Sequence, residues 1–383
     1  ETQFKALSTT QIRALDATVL TSFNTDRIDA LSSSQMAGFS SAQLDGLSAV
    51  QLQQFSTQQL RGLNSAQIAS LSTDNLNILT EGQFQGLSTA QIAALTTAQV
   101  ANLESADLAA LSSLQLRAIS TRGIAAMDSA DIAALSPSQL ASLSSAQVRA
   151  IDTADLAAIS TEALSGLGTA SINALTSAQL SALNSDQLQV LSAAQVRSIG
   201  SAQLVALGSS GLNAMSSAQI GALGSGQIAA LSTAQISNLG TDALGALGSA
   251  QLRAITTAGI AAMDSADIAA LSPIQINALS SGQLRAISSE DIVGIGTETL
   301  NQLGSGQIAA LSNTQLAALG SDQWQSLGSA QLRGLGTGQI AALSTSALNA
   351  LTSDQFQQLT TAQIGALTTA QVQNLRSEDL TAL

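Results

Sequence analysis

The chain of 383 residues has no cysteine, no histidine and no tyrosine, and only one tryptophan, two prolines and one lysine, Lys5. Each absence removes a class of function. Without Cys there is no disulfide and no thiol nucleophile. Without His or Cys the usual zinc ligand sets are missing, and a Ser-His-Asp triad cannot be assembled. A Gly-rich phosphate loop ending in Lys is also missing. Ser-Lys chemistry would rest on Lys5 alone. Basic residues number 12 against 25 acidic ones, a net charge of −13. A chain so acidic repels nucleic acid, whose phosphates must be neutralised by Lys and Arg. No apolar run approaches the ~18 residues that a membrane span requires, so membrane insertion is not expected. No signal peptide is visible at Glu1, and the chain reads as a segment of something longer.

What the chain does have is a period. Cut before every eighth residue from Ser8, it falls into register without an insertion or deletion, giving about 48 units when the leading residues are counted. A typical unit, Ser88 to Leu95, reads Ser-Thr-Ala-Gln-Ile-Ala-Ala-Leu. Position 8 is Leu, Ile, Met or Phe, and position 5 is always large and apolar. Every Phe from Phe23 on, every Met (Met36, Met127, Met215 and Met263) and Trp324 occupies one of these two positions. Position 7 is usually Ala or Gly, position 4 mostly Gln, and position 2 mostly Ser or Thr. Position 1 draws on Ser, Thr, Asp, Asn and Gly, with Glu104 and Arg376 as exceptions.

The position-1 set is the preference list of a helix N-cap. With Gln three residues later it spells a capping box. Pro137 and Pro273 both fall at position 2, the first helical residue, where a missing N–H costs nothing. Gly168, Gly200, Gly224 and Gly320, at position 1, are expected also to close the preceding helix in the left-handed conformation. One continuous helix is excluded. At ~100° per residue the apolar stripe would drift ~80° per octad and wind around the rod. The expectation is an all-α solenoid in which each octad is one helix of about two turns over positions 2 to 8, with position 1 as the corner. So short a helix is unstable alone and must stack on its neighbours. The alternative is a β-solenoid. It fits less well, because apolar residues are spaced 3 then 5 rather than 2, and Ala, Leu and Gln dominate.

A second period overlies the first. Arg at position 6 occurs at residues 13, 61, 117, 149, 197, 253, 285 and 333, with gaps of 6, 7, 4, 6, 7, 4 and 6 octads. The cycle is 17 octads, or 136 residues, and Gly123 to Pro137 recurs identically as Gly259 to Pro273. Residues 1–383 are therefore read as one continuous array with super-repeats 8–143, 144–279 and a partial 280–383. Segmental duplication explains this most simply. A whole number of superhelical turns per 136 residues is the sharper possibility.

Candidate sites are few. Acid pairs occupy positions 1 and 4: Glu104 with Asp107, Asp128 with Asp131, Asp152 with Asp155, and Asp264 with Asp267. Asp128, Asp131, Asp264 and Asp267 are the weak candidates for a divalent cation such as calcium. Favourable charge at a helix N-terminus is the simpler role, and the EF-hand pattern is missing. The arginines are expected to be solvated on a Ser/Gln-rich face, and the Gln column to serve as capping residues, with amide ladders between stacked units as the alternative. No catalytic residue and no cofactor are expected.

Strings such as Leu87 to Leu95 (LSTAQIAAL) and Leu95 to Leu103 (LTTAQVANL) resemble the octapeptide arrays of very large secreted bacterial proteins, commonly labelled haem-utilisation or adhesion proteins. The resemblance implies export to the cell surface or beyond, and a role as stalk, spacer or matrix fibre. Haem ligation finds no support, since His, Cys and Tyr are missing and the methionines sit at core positions. The reading is a structural, non-catalytic extracellular fibre, self-associating end to end as a cell-surface or matrix component. The alternative is a solenoid binding module that presents a groove or a Ser/Thr/Gln-rich face to a peptide, glycan or surface.

Overall fold

A computed structural model describes residues 4–382. It is all-helical: 45 short α-helices and two 3-10 segments follow one another, with no strand among the described residues. The β-solenoid alternative is thereby overturned. Its physical failing is that Gln and Ser at positions 4 and 1 stabilise helix starts, not pleated edges.

The helices are shorter than expected. In the octad 64–71 the helix is Ser65–Ser70, and Leu71 at position 8 is extended, with φ −62° and ψ 140°. In the octad 88–95 it is Thr89–Ala93, closed by Ala94. Most helices thus cover positions 2 to 6 or 7, three (Ser33–Met36, Thr121–Ile124 and Thr153–Leu156) stop at position 5, and the usual corner takes two residues, 8 and 1. The position-8 amide still bonds back to the position-5 carbonyl, as Leu71 N to Ile68 O at 3.2 Å. A tightened last turn followed by one extended residue swings the chain around while both large side chains stay inward.

The N-caps are as the sequence predicts. Gln91 N donates to Ser88 Oγ at 3.3 Å, and Ser88 N donates to Gln91 Oε1 at 2.8 Å. Both prolines sit in the first turn of their helices. The glycine expectation fails. Gly168, Gly200, Gly224 and Gly320 have φ of −66°, −71°, −74° and −76°, in the extended region. They act as caps only, because the preceding helix has already ended at Ser165, Ser198, Gly221 or Ala318 before each of them. Among the described residues Gly208 alone takes a positive φ, 71°, inside the run Ser201–Ala214 that spans two octads. One octad departs further: residues 288–295 form only the 3-10 turn Ile292–Gly294.

The chain forms two compact bodies, Glu1–Ser198 and Ile199–Leu383. Within each, an octad packs against those three and four places along. The helix Ser105–Ala110, for example, packs on Glu81–Gly86 and on Ser129–Ala134. Each coil therefore takes between three and four octads, and the architecture is an α-solenoid. Positions 5 and 8 fill its inside: Trp324 and Phe84 are fully buried, as are Met36 and Ile68. No described helix is long and apolar enough to cross a membrane.

Candidate functional site

Short helices create a bonding problem. Each leaves orphan N–H groups at its start and orphan carbonyls at its end. Forty-five of them among the described residues would leave many unpaired groups beside a dry core, which costs free energy unless each finds a partner. Two polar columns of the octad supply the partners.

The first column is the position-4 glutamine. Its Oε1 accepts from its own octad's position-1 N–H, as the capping box predicts. Its Nε2 points the other way and bridges two carbonyls four octads back. Gln91 Nε2 donates to Leu60 O at 2.6 Å and Leu63 O at 2.8 Å. Gln283 Nε2 does the same to Leu252 O and Ile255 O, both at 2.8 Å. The offsets of 31 and 28 residues recur through both bodies. They place the amide on positions 5 and 8, at the frayed end of an earlier helix. These glutamines are buried, with Gln187 only 1% exposed. The expectation of a solvated Ser/Gln-rich face is corrected here: the Gln column lies within the stack and joins successive coils.

The second column is position 6. Arg61 Nε donates to Gly86 O at 2.7 Å, and Arg285 Nε to Ala310 O at 2.8 Å. Asn173 Nδ2 donates to Ser198 O at 2.6 Å, and Asn301 Nδ2 to Ser326 O at 2.6 Å. The offset is always 25 residues, to position 7 three octads ahead. The arginines are exposed, as expected, but Arg61, Arg149, Arg253, Arg285 and Arg333 are not merely solvated: their Nε–H groups close helix ends. Position 7 is small for the same reason. A Cβ built on Gly62 would lie 1.9 Å from Ser33 O, and one on Gly38 2.6 Å from Thr9 O.

Three of the four acid pairs resolve into caps, at Asp128, Asp152 and Asp264. Asp128 Oδ1 accepts from Ala130 N at 2.9 Å and Asp131 N at 3.0 Å, while Asp131 Oδ2 accepts from Asp128 N at 3.2 Å. Asp264 and Asp267 repeat this geometry, with Asp264 Oδ1 taking Ala266 N and Asp267 N, both at 2.9 Å. The remaining Asp131 oxygen takes the Ser105 hydroxyl at 2.7 Å, and Asp155 takes that of Ser129 at 2.6 Å. Burial raises the Asp267 carboxyl above its usual range, and the neighbouring Asp264 and Asp291 add to the effect against a backbone hydrogen bond. Among the described residues no three acidic side chains converge as a metal set. Surface hollows are shallow grooves between stacked octads, such as the one bounded by Ser33, Gln58, Arg61 and Gly62.

The candidate site is therefore distributed: one pair of inter-coil bonds repeated along the array. A sequence profile for the ALTTAQ repeat matches residues 57–89 and then, in nine further overlapping or adjoining segments, 100–257 and 260–361. The chain belongs to the ALTTAQ repeat family. Its own strings supply the motif, as in Ala94 to Gln99 (ALTTAQ). In structural terms that hexad is a small position 7, an extended position 8, a cap at position 1 and the bridging Gln at position 4. The family hallmark thus spells a corner together with the residue that ties it to the coil four octads back. The comparison with curated proteins gave no match.

Proposed function

We propose that this ALTTAQ repeat chain is a non-catalytic structural spacer or fibre, carried extracellularly on a bacterial surface or in its matrix and able to associate with further copies. One observation carries the reading: the chemically capable columns are already occupied by stacking. Position 4 bonds backward, position 6 bonds forward, position 1 caps, and positions 5 and 8 fill the core. Binding loops in repeat proteins usually enter as insertions between units, and this array has none from Ser8 on. Such an array changes its reach simply by changing its number of units.

The test is a length series. Versions carrying one, two and three 136-residue periods are compared by small-angle scattering and by sedimentation over a concentration range. A spacer gives a maximum dimension proportional to the number of octads, and the self-association gives a sedimentation coefficient that climbs with concentration. A dimension that saturates with added octads contradicts the spacer reading. Saturable binding of a glycan or peptide by monomers of constant size would favour the binding module instead.

A further inference from the structure

Asp107 breaks the pattern of its column. It sits at position 4, is 5% exposed, and its Oδ2 has no hydrogen-bond partner. Three other position-4 aspartates, Asp131, Asp155 and Asp379, take a hydroxyl from position 2 three octads back, as Asp131 does from Ser105 at 2.7 Å. For Asp107 that place holds Glu81. Its own cap residue is Glu104, which makes no capping bond.

The same site two 136-residue periods later shows what is missing. There Asp379 replaces Asp107, Arg376 replaces Glu104 and Ser353 replaces Glu81. Arg376 Nε donates to Asp379 Oδ2 at 2.8 Å, Arg376 Nη2 to Oδ1 at 3.2 Å, and Ser353 Oγ to Oδ1 at 3.4 Å. Asp379 is fully buried with every oxygen engaged. One site has a guanidinium and a hydroxyl around its carboxylate. The other puts two carboxylates at those positions.

We propose that Asp107 is a proton-operated latch, in which a proton from solvent takes the role that Arg376 plays at Asp379. Protonated, the Oδ2–H group donates to the Glu81 carboxylate, and the octad 104–111 locks onto the preceding coil. Ionised, Asp107, Glu104 and Glu81 oppose one another and the octad loosens. The packed elements offer no cation instead. The helix Glu81–Gly86 brings Glu81, the helix Ser129–Ala134 and its cap bring Asp128 and Asp131, and Thr73–Asn77, four octads back, brings Asp74. Burial, with Glu104 and then Glu81 adding their charge, pushes the Asp107 carboxyl up to about 6. An acid raised above its ordinary value of about 4 favours the folded octad fully below that value. The advantage is lost as pH rises through about 6.

The test is amide exchange of the full chain, with protection factors for residues 104–111 corrected for intrinsic rates and compared at pH 5 and pH 7.5. Wild type is expected to show roughly tenfold greater protection at pH 5. Asp107→Asn, a neutral isostere with its own donor, is expected to be protected equally at both. So is the double variant Glu104→Arg with Glu81→Ser, which grafts the later site onto the earlier one. Flat protection in wild type overturns the latch, as does pH dependence that survives in Asp107→Asn. Calcium addition at pH 7.5 is the remaining arm. Protection restored by calcium in wild type alone would assign the site to a metal rather than a proton and overturn the proposal. An unchanged profile supports it.

Discussion

At the scale of the residue, the two amide atoms of a position-4 glutamine do different jobs. Gln91 fastens its own helix start through Oε1 and an earlier helix end through Nε2. Gln91→Leu keeps the volume but removes both, leaving two buried carbonyls without that donor. At about 1–3 kcal/mol for an unsatisfied buried group, local stability around residues 60–63 and 88–95 should fall by about 2–4 kcal/mol, as read by urea-dependent amide exchange. Glycines divide by surroundings in the same way. Gly62→Ala puts a methyl group against Ser33 O and should destabilise by about 1–3 kcal/mol. Gly82→Ala, with nothing within 4 Å of the new atom, should stabilise by up to about 1 kcal/mol, since helical alanine is better than glycine. Thermal melts of the pair should move in opposite directions.

At the scale of the element, the octad is a helix of about one and a half turns with a two-residue corner. Its first-turn amides are free of intrahelical partners, so proline belongs there. Thr89→Pro should leave the melting temperature unchanged or slightly raised. Ala93→Pro, four residues later, removes a helical hydrogen bond and should cost about 3 kcal/mol, visible as lost ellipticity at 222 nm. Much of this element was legible in the sequence. Position 1 is a capping alphabet, Gln at position 4 completes the box, and Pro137 and Pro273 mark the first turn. The end of the helix was not legible. Leu71 at position 8 looks like a last helical residue because it is apolar and regularly spaced, yet burial says nothing about φ and ψ. The glycines at position 1 misled for the same reason: Gly168 and its equivalents suit both a cap and a left-handed residue, and composition does not choose between them.

At the scale of the whole molecule, stacking three and four octads along makes every unit equivalent to its neighbours. Removing residues 88–95 should leave helix content per residue unchanged and shift the melting temperature by only a few degrees, because the 25-, 28- and 31-residue ties reform in register. Removing residues 92–95 alone should abolish cooperative melting near the cut, since caps would then face core positions. The reach of those ties is what sequence reasoning missed. The Gln column could be assigned to the capping box and the Arg series to solvent without contradiction, because both roles are local. Only the coil geometry shows that Gln91 also meets Leu60 and that Arg61 meets Gly86. A faint signal was there: where position 6 is not Ala it is most often Arg, Asn or Gln, with only Asp29 and Asp45 as acids, and a purely solvated position would have no reason to prefer donors over acids.

The central claim is that each octad packs against the one three places along, and a cysteine-free chain allows a direct test. A Cβ on Gly46 would stand 4.0 Å from that of Ala17, and one on Gly221 3.6 Å from that of Ala246. Both separations suit a disulfide, which needs about 3.5–4.5 Å. Ala17→Cys with Gly46→Cys, and Gly221→Cys with Ala246→Cys, should each close quantitatively under mild oxidation, as read by mass spectrometry after digestion. Ala17→Cys with Gly62→Cys, five octads apart, should stay reduced. Failure of both matched pairs to close, or equal closure of the mismatched one, would contradict the stacking on which this account stands.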